Sequence, residues 1–395
     1  MRSRGFRRCG RVVVWLLAAA ALTDALLYVA DAHPLFADLQ VYRLGLHHLG
    51  SGGAGLYDAR AVNDAPFTSP PIAALLLAPL GALDVPAAGA VMTLLSLLAL
   101  VLVACWCLRS RGRLLPVLLA LALISVPVRN VLFFGQVGLL LVLLVAADLL
   151  DVTPHRMRGG LVGVAAAVKL TPLVFVPLLW FAGRRRDAVI AAGTAAVLSV
   201  VAAAVLPSAS ATYWTGTLWH TDRVGDVDGP RNRSLWGLIG HSGVTGAVLL
   251  ALACTAVLTI AYLRANRAIR NGRNASALAI AGMASVAVSP ISWSHHLVWL
   301  VPAEAALLAA PGGFGPLAVL AALTYRLPVS SAHVLAVLQG AAALLVVIML
   351  PAGASTNERH RPAVVGMAGF EPTTSSSRTR RATKLRHIPL VRRRV

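Results

Sequence analysis

Charge is what this sequence has least of. Only 13% of its 395 residues are Asp, Glu, Lys or Arg, and only 15 of them are acidic. A soluble globular domain carries about a quarter charged residues, so an ordinary water-exposed fold is excluded. Cysteine is also scarce. Cys9 lies in the basic N-terminus, Cys105 and Cys107 close one apolar run, and Cys254 lies inside another. These spacings fit neither a disulfide framework nor a zinc site. The chain has no Walker loop, GxGxxG, HExxH or nucleophile elbow, so no soluble nucleotide-using or hydrolase domain is expected. The apolar runs are continuous, which excludes the apolar–polar alternation of a membrane β-barrel. No convincing internal repeat is present, which argues against a transporter built from repeated halves.

What is there is apolar. Hydrophobic residues make up 58% of the chain and the mean hydropathy is +0.76. Several runs approach the roughly 20 residues that cross a bilayer. The expected fold is an all-α polytopic membrane protein. The net charge of +20 does not imply nucleic acid. It is concentrated in the N-terminal segment, in short loops and in the C-terminal tail, and Lys/Arg beside membrane spans sets their orientation.

Residues 1–11 form a basic, cytoplasmic N-terminus, and Val12 to about Ala30 a retained signal anchor. Residues 12–350 form the integral domain, with external polar loops at 31–71 and 207–244. The run from Pro71 to Leu83 is too short to span and reads as re-entrant. The basic clusters Arg109–Arg113, His155–Arg158, Arg184–Arg186 and Arg264–Arg273 are placed inside. Keeping both flanks of Gly159 to Ala182 inside requires a hairpin with Lys169-Leu-Thr-Pro172 at its tip. A broken helix at that depth must line a cavity or be buried in protein. About eleven apolar segments result. This orientation, taken from Lys/Arg bias alone, puts every unusual polar motif on one external face.

The tail, 351–395, differs in character and reads as disordered. Gly369-Phe-Glu-Pro372 is encodable by the self-complementary GGN-TTC-GAA-CCN of a tRNA T-arm, and Ala382-Thr-Lys-Leu385 by the complement of a D-arm. The reading frame is expected to run into an antisense tRNA locus; the alternative is a basic tail that touches anionic headgroups.

Several residues stand out chemically. Ser289-Pro-Ile-Ser-Trp-Ser-His-His296 interrupts two apolar runs; it is either an interfacial loop or a cavity wall, since buried polar groups need partners. Asp38 could be a general base or a helix cap, and Asp31, Asp58 and Asp64 share its loop. Lys169 calls for a partner, such as a lipid phosphate, or else snorkels to the headgroups. His295 and His296 could bond a phosphate or sugar; without a third ligand they suggest no metal. Trp293 could stack on a sugar or prenyl chain, or anchor at the interface. Arg231 and Arg233 could hold phosphate or be solvated. Glu304 is the only acid of the later spans.

Taken together, Asp38-Leu-Gln-Val-Tyr42, Leu56-Tyr-Asp58, Phe67-Thr-Ser-Pro-Pro71, Gly135-Gln136-Val137, Val168-Lys-Leu-Thr-Pro172, Arg233-Ser-Leu235 and Ser289 to His296 follow in that order. This set resembles the polyprenol-phosphate-mannose-dependent mannosyltransferases of glycosyltransferase family 87, with a GT-C fold, over about residues 12–350. Departures are Ser69, where the family usually has Tyr, and Asn232-Arg-Ser234, where Asn-Gln-Ser is common. The resemblance implies a bundle of about 10–12 membrane segments with re-entrant or broken helices. It implies inverting transfer of mannose from polyprenyl-phosphate-mannose to a glycolipid or glycan hydroxyl on the outer face of the plasma membrane. Asp38 maps to the catalytic base. Lys169, His295, His296, Arg231, Arg233, Gln136, Trp293 and Tyr42 become candidate donor-phosphate or sugar contacts, some of them as cations that steady the leaving phosphate. No metal or other cofactor is implied, and no nucleic-acid partner. Alternatives are an arabinofuranosyl or other hexosyl transferase, and a lipid or sugar transporter.

Overall fold

The computed structural model describes residues 2–31, 36–61, 64–239, 243–324 and 332–352. The reading of the tail beyond 352 lies outside the described residues. Seventeen α-helices and no β-sheet occur among the described residues. In chain order they are α1 (Arg2–Asp31), α2 (Ala37–His48), α3 (Pro71–Leu77), α4 (Val85–Cys107), α5 (Leu115–Ile124), α6 (Val126–Phe134), α7 (Gly138–Leu149), α8 (Gly160–Val168), α9 (Phe175–Phe181) and α10 (Arg185–Val205). There follow α11 (Pro207–Thr215), α12 (Leu235–Ile239), α13 (Gly243–Arg270), α14 (Asn274–Val288), α15 (Leu300–Ala309), α16 (Phe314–Thr324) and α17 (Ala332–Met349).

Four helical stretches are long and apolar enough to cross a membrane: Val12–Ala30, Val85–Cys107, Arg185–Val205 and Gly243–Arg270. The helices on either side of Ser125 make a fifth span if they are counted together despite their 65° bend. Leu16, Leu94, Val200 and Leu252 are exposed on these spans, as side chains facing lipid should be. Shorter apolar helices pack among them, so the bundle is polytopic and all-helical.

Local chemistry explains the breaks. The apolar run from Leu114 to Pro127 is not one straight helix. The chain bends at Ser125, whose backbone is extended and whose hydroxyl donates to the Ala122 carbonyl at 2.7 Å. Pro127 just beyond has no N–H to continue the helix. The loop expected at 31–71 contains a true helix, α2, along with turns, and the loop expected at 207–244 contains α11 and α12.

The hairpin at Lys169 is present as a break. α8 ends in Lys169 with extended backbone, and a 3₁₀ turn at Thr171–Val174 leads into α9. Both flanks return to one place. Arg184 donates to the Asp148 carbonyl at 2.9 Å, and Arg186 to the His155 and Arg156 carbonyls at 2.7 and 3.1 Å. Asp151 pairs with Arg158 at 3.1 Å and with Arg184 at 3.5 Å.

These contacts define a basic pole. Asn274 reaches Asp151 at 3.5 Å, while Arg264 and Asn271 donate to the Leu350 and Ala352 carbonyls. From this pole α8 runs to Lys169 and α14 to Ser289. In the other direction α7 starts beside Gln136 and ends at the pole. The opposite ends of these helices converge on one cavity.

Candidate active site

The cavity has a volume of about 600 Å³. All nine residues singled out from the sequence line it: Asp38, Tyr42, Gln136, Lys169, Arg231, Arg233, Trp293, His295 and His296. Stretches as far apart as Asp38 and His296 are brought together.

The first wall is α2. Leu39 is fully buried while its neighbour Asp38 turns to the cavity, because adjacent helical residues point about 100° apart. Among the described lining residues Asp38 is the only carboxylate. Asp58 and Asp64 are exposed outside the cavity, and the side chain of Asp31 is not among those described. Gln136 organises this wall. Its Oε1 accepts from the Tyr42 hydroxyl at 2.7 Å and its amide also bonds the Asp38 carboxylate. Gly135 makes the approach possible: it is left-handed (φ 66°) and a Cβ there would lie 2.8 Å from that of Leu39. Burial pushes the Asp38 carboxyl above the ordinary carboxylate range, and the Gln136 bond and nearby Lys169 hold it back.

The second wall is the break after α8. Lys169 Nζ lies 2.9 Å from His296 Nε2. The Trp293 backbone N–H donates to His296 Nδ1 at 3.1 Å. A backbone N–H can only donate, so Nδ1 is the unprotonated nitrogen and a neutral ring carries its hydrogen on Nε2. Burial lowers Lys169 to about 8, against the upward pull of Asp38. Both histidines are held well below their usual range, first by burial and then by the Lys169 and Arg233 charges. Burial and the neighbouring charges thus favour the neutral form of both rings over the cationic role expected from the sequence. His295 is buried, stands edge-on to Phe134 at 5.7 Å, and has no partner for either ring nitrogen among the described residues. Two unsatisfied nitrogens in a polar cavity are ready contacts for a ligand.

The third wall is the long loop. Asn232 staples it to the Ser289–His296 stretch. Its Nδ2 donates to the Val227 and Pro290 carbonyls, both at 2.8 Å, and its Oδ1 accepts from the Ser234 and Ser292 amides at 3.1 and 3.0 Å. Every hydrogen-bonding position of this buried amide is used. Arg233 beside it is buried, with Nε donating to Gln339 Oε1 at 2.8 Å and Nη1 to the Arg231 carbonyl. Burial, followed by the Arg231 charge, lowers Arg233 to about 10, which leaves it cationic at neutral pH. Arg231 is exposed at the rim.

Other lining residues were not singled out from the sequence. Asn130 donates to Ser294 Oγ at 2.6 Å, and Arg223 to the Tyr57 carbonyl. Tyr213 and His220 also face in. Tyr57 explains two of the motifs: its hydroxyl donates to the Ser69 carbonyl at 2.9 Å and its ring meets Phe67 edge-on at 5.7 Å. These residues frame the cavity. Glu304 is fully buried in α15, away from the lining.

The arrangement joins one carboxylate at an end held by Gln136 to two buried cations, Lys169 and Arg233. No carboxylate lies within ion-pair distance of either cation among the described residues. Such cations are costly unless an anion joins them.

Known proteins give the same direction. The pattern described as Glycosyltransferase family 87 matches residues 67–290. A protein of Mycolicibacterium smegmatis named polyprenol-phosphate-mannose-dependent alpha-(1-2)-phosphatidylinositol mannoside mannosyltransferase is 33% identical over 68% of this chain and 69% of its own length. Its namesake in Mycobacterium tuberculosis is 31% identical over 76% and 77%. A second M. smegmatis protein, named for a pentamannoside acceptor, is 33% identical over 76% and 75%. No solved structure gives a significant match. With the family pattern covering more than half of the chain and relatives matching along three quarters of it, this protein belongs to glycosyltransferase family 87.

Proposed function

We propose that this chain transfers mannose from polyprenyl-phosphate-mannose to a hydroxyl of a phosphatidylinositol-mannoside-type glycolipid, with inversion and with Asp38 as general base. The carrying observation is the pairing of a lone carboxylate with two uncompensated buried cations in one cavity. Lys169 and Arg233 hold the donor phosphate. Asp38 takes the proton of the acceptor hydroxyl as its oxygen bonds the anomeric carbon. The bond from that carbon to the phosphate oxygen breaks, and its electron pair leaves on the polyprenyl phosphate. The phosphate thereby gains a negative charge, which the cations stabilise more strongly than in the ground state. Retention by double displacement needs a second carboxylate about 5 Å from the first, and the described lining has only Asp38. His295, Trp293, Asn130 and Gln136 are the sugar-facing groups. The donor's prenyl chain runs into the bilayer along α3, which lies beside the cavity at Pro70.

The cavity faces the outside of the plasma membrane in this reading. The basic pole gathers the Arg-rich loops, and such loops stay cytoplasmic.

Membranes supplied with radiolabelled polyprenyl-phosphate-mannose test the chemistry. Asp38→Asn should lose transfer by about 10²–10⁴-fold at unchanged protein level; full activity would remove Asp38 as base. Orientation is tested separately with single cysteines in a cysteine-free background. Ala211→Cys, exposed near the cavity, should react with an impermeant maleimide in intact cells, and Met157→Cys, exposed at the basic pole, should not. The reverse pattern would place the reaction in the cytoplasm.

A further inference from the structure

Among the described residues, the guanidinium of the buried Arg233 is held only by neutral groups: the Gln339 side chain and the Arg231 carbonyl. Gln339 belongs to α17, outside the stretch matched by the family pattern, and is fully buried. Its amide is half used. Oε1 accepts from Arg233, while Nε2 has no partner among the described residues. A buried orphan amide costs more than an apolar side chain of the same size would. On stability alone leucine suits this helix better. The next residue, Gly340, also serves Arg233, since a Cβ there would stand 2.8 Å from the Arg233 carbonyl oxygen. Two successive residues of α17 thus receive Arg233: Gly340 admits its backbone and Gln339 grips its guanidinium. With Nε–H and one Nη1–H engaged, the other Nη1–H and both Nη2 hydrogens are left for the cavity that Arg233 lines.

The geometry points to Gln339 as a positioning residue for the anion site, one that orients Arg233 toward the donor's phosphate without cancelling its charge. A carboxylate at this position would hold the guanidinium as firmly, but it would neutralise the cation before the donor arrived. An amide aims the group and leaves the charge for the ligand. The inference rests on the reading of the cavity as a donor-phosphate site.

The test uses the full-length protein in nanodiscs, with polyprenyl-phosphate-mannose as the varied substrate and three variants: Gln339→Leu, Arg233→Met and the double. Gln339→Leu should raise donor KM about tenfold, the worth of a hydrogen bond to a charged group, with kcat and acceptor KM little changed. In the Arg233→Met background the same substitution should add nothing. An unchanged donor KM in Gln339→Leu would overturn the inference. So would an equal rise in both backgrounds, since Gln339 would then act independently of Arg233. Loss of folded protein in Gln339→Leu would overturn it too, by giving the amide a purely structural role. Gln339→Glu adds a charge readout: it should raise donor KM although the hydrogen bond is kept, and wild-type kinetics there would also count against it. If Arg233→Met itself leaves donor KM unmoved, the donor-phosphate reading fails, which is a different result from failure of Gln339 alone.

Discussion

Lys169 and His296 make a prediction that proton logic and geometry share. With His296 Nδ1 occupied by the Trp293 N–H, its Nε2–H points at Lys169 Nζ from 2.9 Å. Two donors at that distance repel, so the contact favours an amine that offers its lone pair. Burial already brings Lys169 down to about 8, and the facing Nε2–H works in the same direction. Below about pH 8 Lys169 is the cation the site needs; above it the amine is neutral, and the donor's phosphate restores its proton. Donor binding should take up a proton wherever the free lysine is an amine. Donor KM should then be flat below about pH 8 and rise about tenfold per pH unit above it, each unit corresponding to about 1.4 kcal/mol. Lys169→Arg keeps its charge throughout and should flatten the alkaline limb. His296→Phe removes the facing N–H and should shift the inflection upward. Lys169→Met should lose about 10–100-fold in donor kcat/KM through the charged contact. The assay is initial-rate transfer in nanodiscs from pH 6 to 9.5 with the donor varied at saturating acceptor. A wild-type donor KM that stays constant to pH 9.5, or an alkaline limb that survives in Lys169→Arg, would refute the reasoning.

Two further outcomes follow from the other walls. The Gln136 bond favours the ionised form of Asp38, so Gln136→Leu should raise the Asp38 pKa. The acid limb of kcat then moves to higher pH and activity at pH 6 falls more than at pH 8, as a pH–rate profile would record. Asn232→Ala removes four hydrogen bonds, two within its own loop and two, to Pro290 and Ser292, that join it to the 289–296 stretch. At about 1 kcal/mol each, the loss should lower the thermal midpoint by several degrees in detergent and speed proteolysis within 207–239; an unchanged midpoint would contradict the staple.

Much of the fold was legible because the bilayer imposes long apolar runs. Val12–Ala30 emerges at its expected bounds, and the apolar run that ends before Arg109 forms the spanning helix α4. The hairpin at Lys169 was legible for an electrostatic reason: one crossing would have put Arg184 to Arg186 outside. The polar motifs could be read because polar side chains are conspicuous in apolar surroundings. What escaped depends on three-dimensional pairing. A single Gln in the apolar run of α17 looks like filler until Arg233 is seen to end on it. Arg223 and Tyr213 look like ordinary loop residues. The pull of the histidines toward the neutral form could not be read, because sequence shows the imidazoles but not their burial or the backbone N–H bonded to one of them. The bend at Ser125 was missed because Pro127 permits either a kink or a continuous helix, and packing decides. Asp38 could not be separated from Asp58 and Asp64 until α2 turned it inward.

One feature of α2 reaches beyond the cavity. The helix that carries Asp38 is clamped from its other side to the short apolar segment 71–82. Arg43 donates to the Leu80 and Leu83 carbonyls at 3.2 and 2.6 Å, and Gly45 sits directly against Ala74. That segment is too short to span; its first turn packs into the protein, while Leu76 is exposed toward lipid. Asp38, the base proposed above, is thus fastened to a segment that meets the lipid. Transfer rate should consequently follow acyl-chain length when the protein is moved between nanodiscs of thinner and thicker lipids, with the change falling on kcat. The membrane would then act as a mechanical regulator of the catalytic base as well as its solvent.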